Sequence, residues 1–171
     1  MHVRPSWKPS LEEALPYDAR SLLAAYRCAP RCQEFYFEVP LAPPSVNNIY
    51  RKWHSKKTNK TGYALEDSVV AYRQLTKVVL ARRAFAPRGV VAVVIAIESP
   101  RWVTAEHKVR KQDVDNPIKA VLDALTHSIS LADENVWSVF DTKIFSRREA
   151  THVWMFDLGD IVTAVGGATN N

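Results

Sequence analysis

Apolar and polar side chains alternate along residues 34 to 41: Phe35, Phe37, Val39 and Leu41 fall on one side, Glu34, Tyr36 and Glu38 on the other. A period of two belongs to a strand with one face in a core and one toward water. The period changes over residues 64 to 84, where Leu65, Val69, Tyr72, Leu75, Val79 and Leu80 recur at helical spacing until "APRG" ends the helix. Residues 90 to 99, "VVAVVIAIES", are β-branched and almost continuously apolar, as a strand covered on both faces requires. A second core helix is predicted from Pro117 to about Thr126, with Asn116 as N-cap, Pro117 at the first helical position, and Ile118, Val121, Leu122 and Leu125 as its buried stripe. Residues 136 to 147 and 151 to 158 read as two further strands around the polar turn "RREA". The expected fold class is α/β in the α+β sense: a small mixed sheet of three to four strands with two core helices packed on it.

Two stretches carry no such period. Two prolines, three asparagines and a glycine in "APPSVNNIYRKWHSKKTNKTGY" argue against regular structure over much of residues 42 to 63, and residues 100 to 112 read as a polar, basic loop. At the start, Ser10 and Glu13 have capping-box spacing, and Leu11, Leu15, Leu22, Leu23 and Tyr26 give residues 10 to 27 an apolar side, interrupted near Pro16. "CAPRC" breaks that helix. The chain thus divides into an N-terminal helical extension (1–33), one domain (34–160) and a flexible tail (161–171).

With 171 residues and 47% hydrophobic content, the chain can bury one core and is short for two. The absence of an 18-residue apolar run and the charged, proline-broken start lead to the expectation of a cytoplasmic protein with no membrane association. Twenty-three Lys+Arg against 18 Asp+Glu make the surface attractive to polyanions. Cys28 and Cys32 lack further spaced ligands for zinc and read as free thiols.

Against this basic background, acids gather around one helix. Asp113 and Asp115 are two apart in an extended segment just before the predicted helix, so their side chains leave the backbone on the same side. The helix dipole favours each by only about 0.3 to 1 kcal/mol, too little to hold two like charges together. A cation resolves the conflict. If the chain folds back after the helix, Asp133 opens the next strand beside that pair, and three oxygen ligands suit Mg²⁺, with Mn²⁺ as substitute, better than zinc. Asn116, Lys119 and Asp123 share one helix face, which lets Lys119 stand beside the acids and neutralise charge developing on a phosphate. Plainer readings exist for every piece: D-x-D as a capping turn, Lys119 with Asp123 as a surface ion pair, Glu134 as simply exposed. An EF-hand is excluded, since Pro117 stands at a ligand position with no glycine following.

The setting favours chemistry. "RKWHSKKTNK" combines Arg51, Lys52, Lys56, Lys57 and Lys60 with Trp53 and His54, and "RWVTAEHKVRK" combines Arg101, Lys108, Arg110 and Lys111 with Trp102. Basic, aromatic-containing loops flanking an acidic centre are what a metal-dependent enzyme acting on nucleic-acid phosphates would use.

"LAPPSVNNIYR" (41–51), "DVDNPIKAVLDAL" (113–125) and "LADENV" (131–136) together resemble the RusA family of Holliday junction resolvases, small Mg²⁺-dependent endonucleases often found in phages and prophages. The resemblance runs from about Phe35 to Leu158. It implies a homodimeric nuclease domain that cuts four-way DNA junctions by paired symmetric incisions in recombination and repair. It implies metal ligands at Asp113, Asp115 and Asp133, a functional lysine at Lys119, and a supporting acid at Asp123. Lys143 falls where the family tends to carry lysine, and Asn47 or Asn48 at a position near the DNA. The chain departs from the pattern at Ala132-Asp133-Glu134, where the family usually shows two adjacent aspartates, which leaves Glu134 as a supporting candidate beside Asn116. Residues 1–33 have no counterpart. Two other readings stay open, a non-catalytic protein that clamps structured DNA and a nuclease preferring other branched DNA.

Overall fold

The computed structural model describes residues 17–28, 32–45, 49–82, 86–87, 89–110, 115–129 and 131–159. Helix α1 spans Tyr17–Cys28 and strand β1 Gln33–Val39; β2 (Tyr50–Ser55) and β3 (Lys60–Leu65) form a separate two-stranded ribbon. Helix α2 (Asp67–Ala81), β4 (Val90–Ser99), α3 (Asp115–Ile129), β5 (Val136–Phe145) and β6 (Ala150–Gly159) follow, with single 3-10 turns at Pro100–Trp102 and Asp133–Asn135.

Four strands make one sheet in the order β1-β6-β4-β5. β1 and β4 both run antiparallel to β6, while β4 and β5 are parallel, with Val91 opposite Val136 and Ser99 opposite Phe145. A parallel pair needs a crossover, and α3 supplies it. On one face Phe37, Val39, Val93, Ile95, Ile97, Val153 and Met155 lie beneath Tyr72 and Leu80 of α2 and Val121, Ala124 and Leu125 of α3. On the other, Ala92, Val94, Ala96, Trp154 and Phe156 are covered by Tyr26 of α1 together with Tyr36, Phe140 and Ile144. β4 therefore contacts apolar side chains on both sides, which is why its sequence is apolar throughout.

Helix α1 joins the body through Tyr26, whose ring lies 6.4 Å from that of Phe156 and whose Oη is 3.0 Å from Ser138 Oγ. Arg27 donates to Glu34 at 2.9 Å. Cys28 and Cys32 are free thiols, and burial pushes the Cys32 thiol up. No described helix is long and apolar enough to cross a membrane.

Three details differ from the pattern reading. Residues 50 to 65 form the β2–β3 ribbon, reversed by a turn in which Asn59 takes a left-handed φ of 51°; 50 to 63 belong to the stretch expected to be largely irregular, and Ala64 and Leu65, expected to open the helix, end β3 instead, the helix starting at Asp67. Its strands are solvated on both faces, so no amphipathic period marks them. Helix α3 begins at Asp115, placing Asn116 and Pro117 inside its first turn, with Asn116 no longer the N-cap. First-turn N–H groups have no intrahelical acceptor, so proline is tolerated there. The 100–112 loop is partly ordered: Val103 bridges Val109, Arg110 N donates to Trp102 O at 2.9 Å, and His107 (φ 59°) makes the reversal.

Candidate active site

Two of the three motif segments meet, through Ala42, Pro43, Ser45 and Pro117, at the end of the sheet where β4 finishes and α3 starts. Pro117, in the first turn of α3, lines a cavity of ≈ 40 Å³ with Ala42, Pro43, Ser45, Ile97, Ser99, Arg101 and Trp102. Trp102 is the fixed point of this region. It is buried, and its indole N–H donates to Ile97 O at 2.8 Å, since a buried donor requires an acceptor. Lys143 of β5 lies opposite Ile97 in register, with Nζ 5.0 Å from the centre of the Trp102 ring. A cation over an indole face is held in place without losing its charge. Arg101 is tied to Glu149 at 2.6 Å, and that bond holds the Glu149 carboxyl below the ordinary range.

Along α3, Lys119 is exposed. Asp123 turns toward α2, where Arg73 approaches it at 3.8 Å, and His127 Nδ1 is 2.7 Å from the Asp123 carbonyl. Arg73 Nε is buried with no hydrogen-bond partner among the described residues. Ala120, Asp123 and Arg73 line a further small cavity with Ser45 and Ile49, the residues that bracket the 46–48 segment. Asn47 and Asn48 lie in that segment, outside the described residues, as do Lys111 and Asp113; of Asp115 the backbone is described.

Asp133 is exposed and opens the 3-10 turn that leads into β5, with Glu134 exposed beside it. The expectation that one chain folds back to bring Asp133 next to Asp115 is not met. Val136 pairs with Val91 at the start of β4, whereas Pro117 neighbours Ser99 and Trp102 at its end. A crossover helix between parallel strands must return the chain to the start of the sheet, and 15 helical residues span roughly 22 Å. Within one chain, Asp133 and the first residue of α3 therefore lie at opposite ends. Among the described residues, no group of three His, Cys, Asp or Glu side chains is placed to hold a metal.

The basic candidates group on projections. Lys52 and Tyr63 face one side of the ribbon and Trp53 the other, where its indole covers Gly62 so closely that a Cβ there would lie 2.8 Å from the ring. Lys56, Lys57 and Lys60 cluster at the turn and are exposed, as are Tyr50 and Tyr63, while Arg51 is engaged by Asp67 at 2.9 Å. Lys108 and Arg110 are exposed on the 103–109 loop. Between ribbon and body runs an open cleft of ≈ 660 Å³, bordered by Pro44, Tyr50, Glu66 and Arg101.

One polar cluster escaped the pattern reading. Glu98, buried at the end of β4, accepts from Arg148 Nε at 2.7 Å and lies 3.1 Å from His152 Nε2; Arg148 also reaches Glu38 at 3.1 Å, and Tyr36 Oη is 3.0 Å from His152 Nδ1. Burial alone would raise the Glu98 carboxyl, but hydrogen bonds from Arg148, Ser146 and His152 outweigh it and leave the carboxyl below its ordinary value. The signals were Glu98 ending an apolar run and His152 interrupting another, polar groups that a covered strand admits only when paired.

A direct comparison with curated proteins returned no match. The profile of the family described as Endodeoxyribonuclease RusA matches residues 40–155, a span that begins before the cleft, takes in the ribbon, Trp102, α3 and Lys143, and ends on β6. Since that span is most of the chain and contains all three motifs, the protein belongs to the RusA family of endodeoxyribonucleases.

Proposed function

We propose that the protein is a Mg²⁺-dependent endonuclease that resolves four-way DNA junctions by paired incisions, with its chemistry at the N-terminus of α3. The observation that carries this reading is the family match across the D-x-D-N-x-x-K segment, at a helix start bordered by Trp102, Lys143 and Ser45.

The donor chemistry fits the ion. Asp113, Asp115 and Asp133 offer only carboxylate oxygens, and Asp133 is exposed with no ion pair among the described residues. Asp113 and Asp115 would hold Mg²⁺ at the start of α3, Asp133 of the same chain lying at the other end of the sheet, and the ion when bound would supply Lewis-acid polarisation of a phosphate and a water acidified for attack. Lys119, one helical turn beyond Asp115, offsets charge gathering on the phosphate. Lys143, with Nζ 5.0 Å from the centre of the Trp102 ring, gives a second cation. The ribbon lysines, with Tyr50 along the cleft and the exposed Tyr63, supply a sequence-independent hold on backbone and bases.

The separation of Asp133 from the start of α3 in one chain favours a second reading, a protein that clamps branched DNA without cutting it. A labelled four-way junction incubated with and without Mg²⁺ separates the two: symmetric nicks only with the metal are expected, and binding without nicks overturns the catalytic reading. Flap and three-way substrates run beside it establish the preference. Asp115→Asn should reduce Mg²⁺-dependent cleavage by at least about a hundredfold while leaving junction affinity intact, and near-normal cutting by this variant removes the site assignment.

A further inference from the structure

We propose that Arg73 of α2 is a positioning residue of the site: by holding Asp123 it keeps that acid from pairing with Lys119 and leaves the Lys119 ammonium to meet a phosphate. The inference rests on the role given to Lys119 above and adds what keeps that lysine available.

Spacing makes the demand. Lys119 has an acid one helical turn to either side, Asp115 four residues before it and Asp123 four residues after, the separation at which opposite charges on a helix pair. A lysine paired with either acid brings less charge to a phosphate. Asp115 belongs to the metal in the reading above, which leaves Asp123 as the competitor. Yet Lys119 is exposed and forms no ion pair among the described residues, while Asp123 is engaged from α2.

Arg73 is suited to this. Val69, Tyr72, Thr76 and Leu80 are the buried residues of α2, and Arg73 borders them one turn beyond Val69, on the side that meets α3. Its Nη2 lies 3.8 Å from Asp123 Oδ2 and its Nη1 3.5 Å from His127 Nε2. His127 Nδ1 is 2.7 Å from the Asp123 carbonyl oxygen, which can only accept, so in the neutral ring the proton sits on Nδ1 and Nε2 is left to accept from Arg73. The guanidinium is thus held against α3 by two residues one turn apart. Side-chain exposure is 21% for Arg73 and 32% for Asp123, so their attraction is less screened than that of Asp123 for the fully solvated Lys119. Arginine also keeps its charge at any working pH, so its hold on the acid does not lapse. Asp123 is in turn the counter-charge that a half-buried arginine requires.

The test compares Arg73→Gln with Arg73→Gln combined with Asp123→Asn. Junction cleavage in Mg²⁺ is timed at saturating protein, and on separate samples the Lys119 ammonium is titrated by NMR after reductive ¹³C-methylation, its signal assigned by its loss in Lys119→Arg. Arg73→Gln should cut about two- to fivefold more slowly with junction affinity little changed, and Lys119 should titrate about 0.3 pH unit higher, as an ammonium beside a released carboxylate does. Removing the acid as well should return both readouts toward wild type, a rescue that a merely structural arginine would not give. Arg73→Lys keeps a cation at the position and should stay near wild type in both. A Lys119 titration unmoved in Arg73→Gln, a double variant that stays slow, or a folded Arg73→Lys as slow as Arg73→Gln overturns the proposal. Should Arg73→Gln fail to fold, the double variant and Arg73→Lys decide: wild-type titration and cutting are expected of both, and a departure in either overturns it. If Lys119→Ala cuts normally, the role given to Lys119 fails, and the hold of Arg73 on Asp123 is judged by the titration alone.

Discussion

The four-stranded body and the β2–β3 ribbon are built from the same kind of element and held by opposite physics. Along β4 every residue after Val90 is buried, whereas Tyr50, Arg51, Lys52, Trp53 and His54 of β2 are all exposed. Burial stabilises the first through its area, on the order of 1.5 to 3 kcal/mol per large apolar side chain. The second depends on cross-strand contacts, such as Trp53 over Gly62 and His54 Nδ1 at 3.1 Å from Thr61 Oγ1, and an isolated two-stranded ribbon is marginal in water. Substitutions in the body should therefore be read in stability, those in the ribbon in binding.

The largest effect should come from the body. Ile95→Ala empties a fully buried position between α2, α3 and the sheet and should cost about 3 kcal/mol in denaturant unfolding; a loss under about 1 kcal/mol would mean the helices do not close over β4 as described. Next comes Glu98→Gln, which weakens the contacts to Arg148 and His152 and should cost about 2 kcal/mol at neutral pH. Its folded-state pKa is depressed, so its stabilisation is full above the ordinary carboxylate value and disappears as pH falls through the folded value. The acid limb of a stability–pH curve should accordingly be shallower in Glu98→Gln than in wild type.

In the ribbon the readout changes. Lys56→Ala with Lys57→Ala should leave unfolding within about 0.5 kcal/mol of wild type but lower junction affinity and reduce the salt slope by about 2; an unchanged slope would place the ribbon away from DNA. Smallest of all, Gly62→Ala should displace the Trp53 indole, seen as a shift in its fluorescence, with little change in the melting of the body.

Legibility followed the same division. The alternation of β1 and the stripes of α2 and α3 are imprints of a core, and each reappears near its expected place, because a side chain facing that core must be apolar. The ribbon left no imprint, since neither of its faces meets a core. Helix ends were less legible than helix faces: α3 starts two residues before Pro117, because a first-turn proline is compatible with several starts. At the site, Trp102 was visible as an aromatic in a basic loop. Its role as the platform under Lys143 required two elements distant in sequence to meet.

By itself, the sequence determined which strand is covered on both faces, which helix faces are apolar, and the family to which Asp113, Asp115, Lys119 and Asp133 belong, because burial and chemistry are written in local residue type and spacing. Only the tertiary structure decided that β4 and β5 run parallel, and with that the distance between Asp133 and the start of α3. Strand direction is set by how whole faces pair across the sheet, a long-range property that no local period encodes.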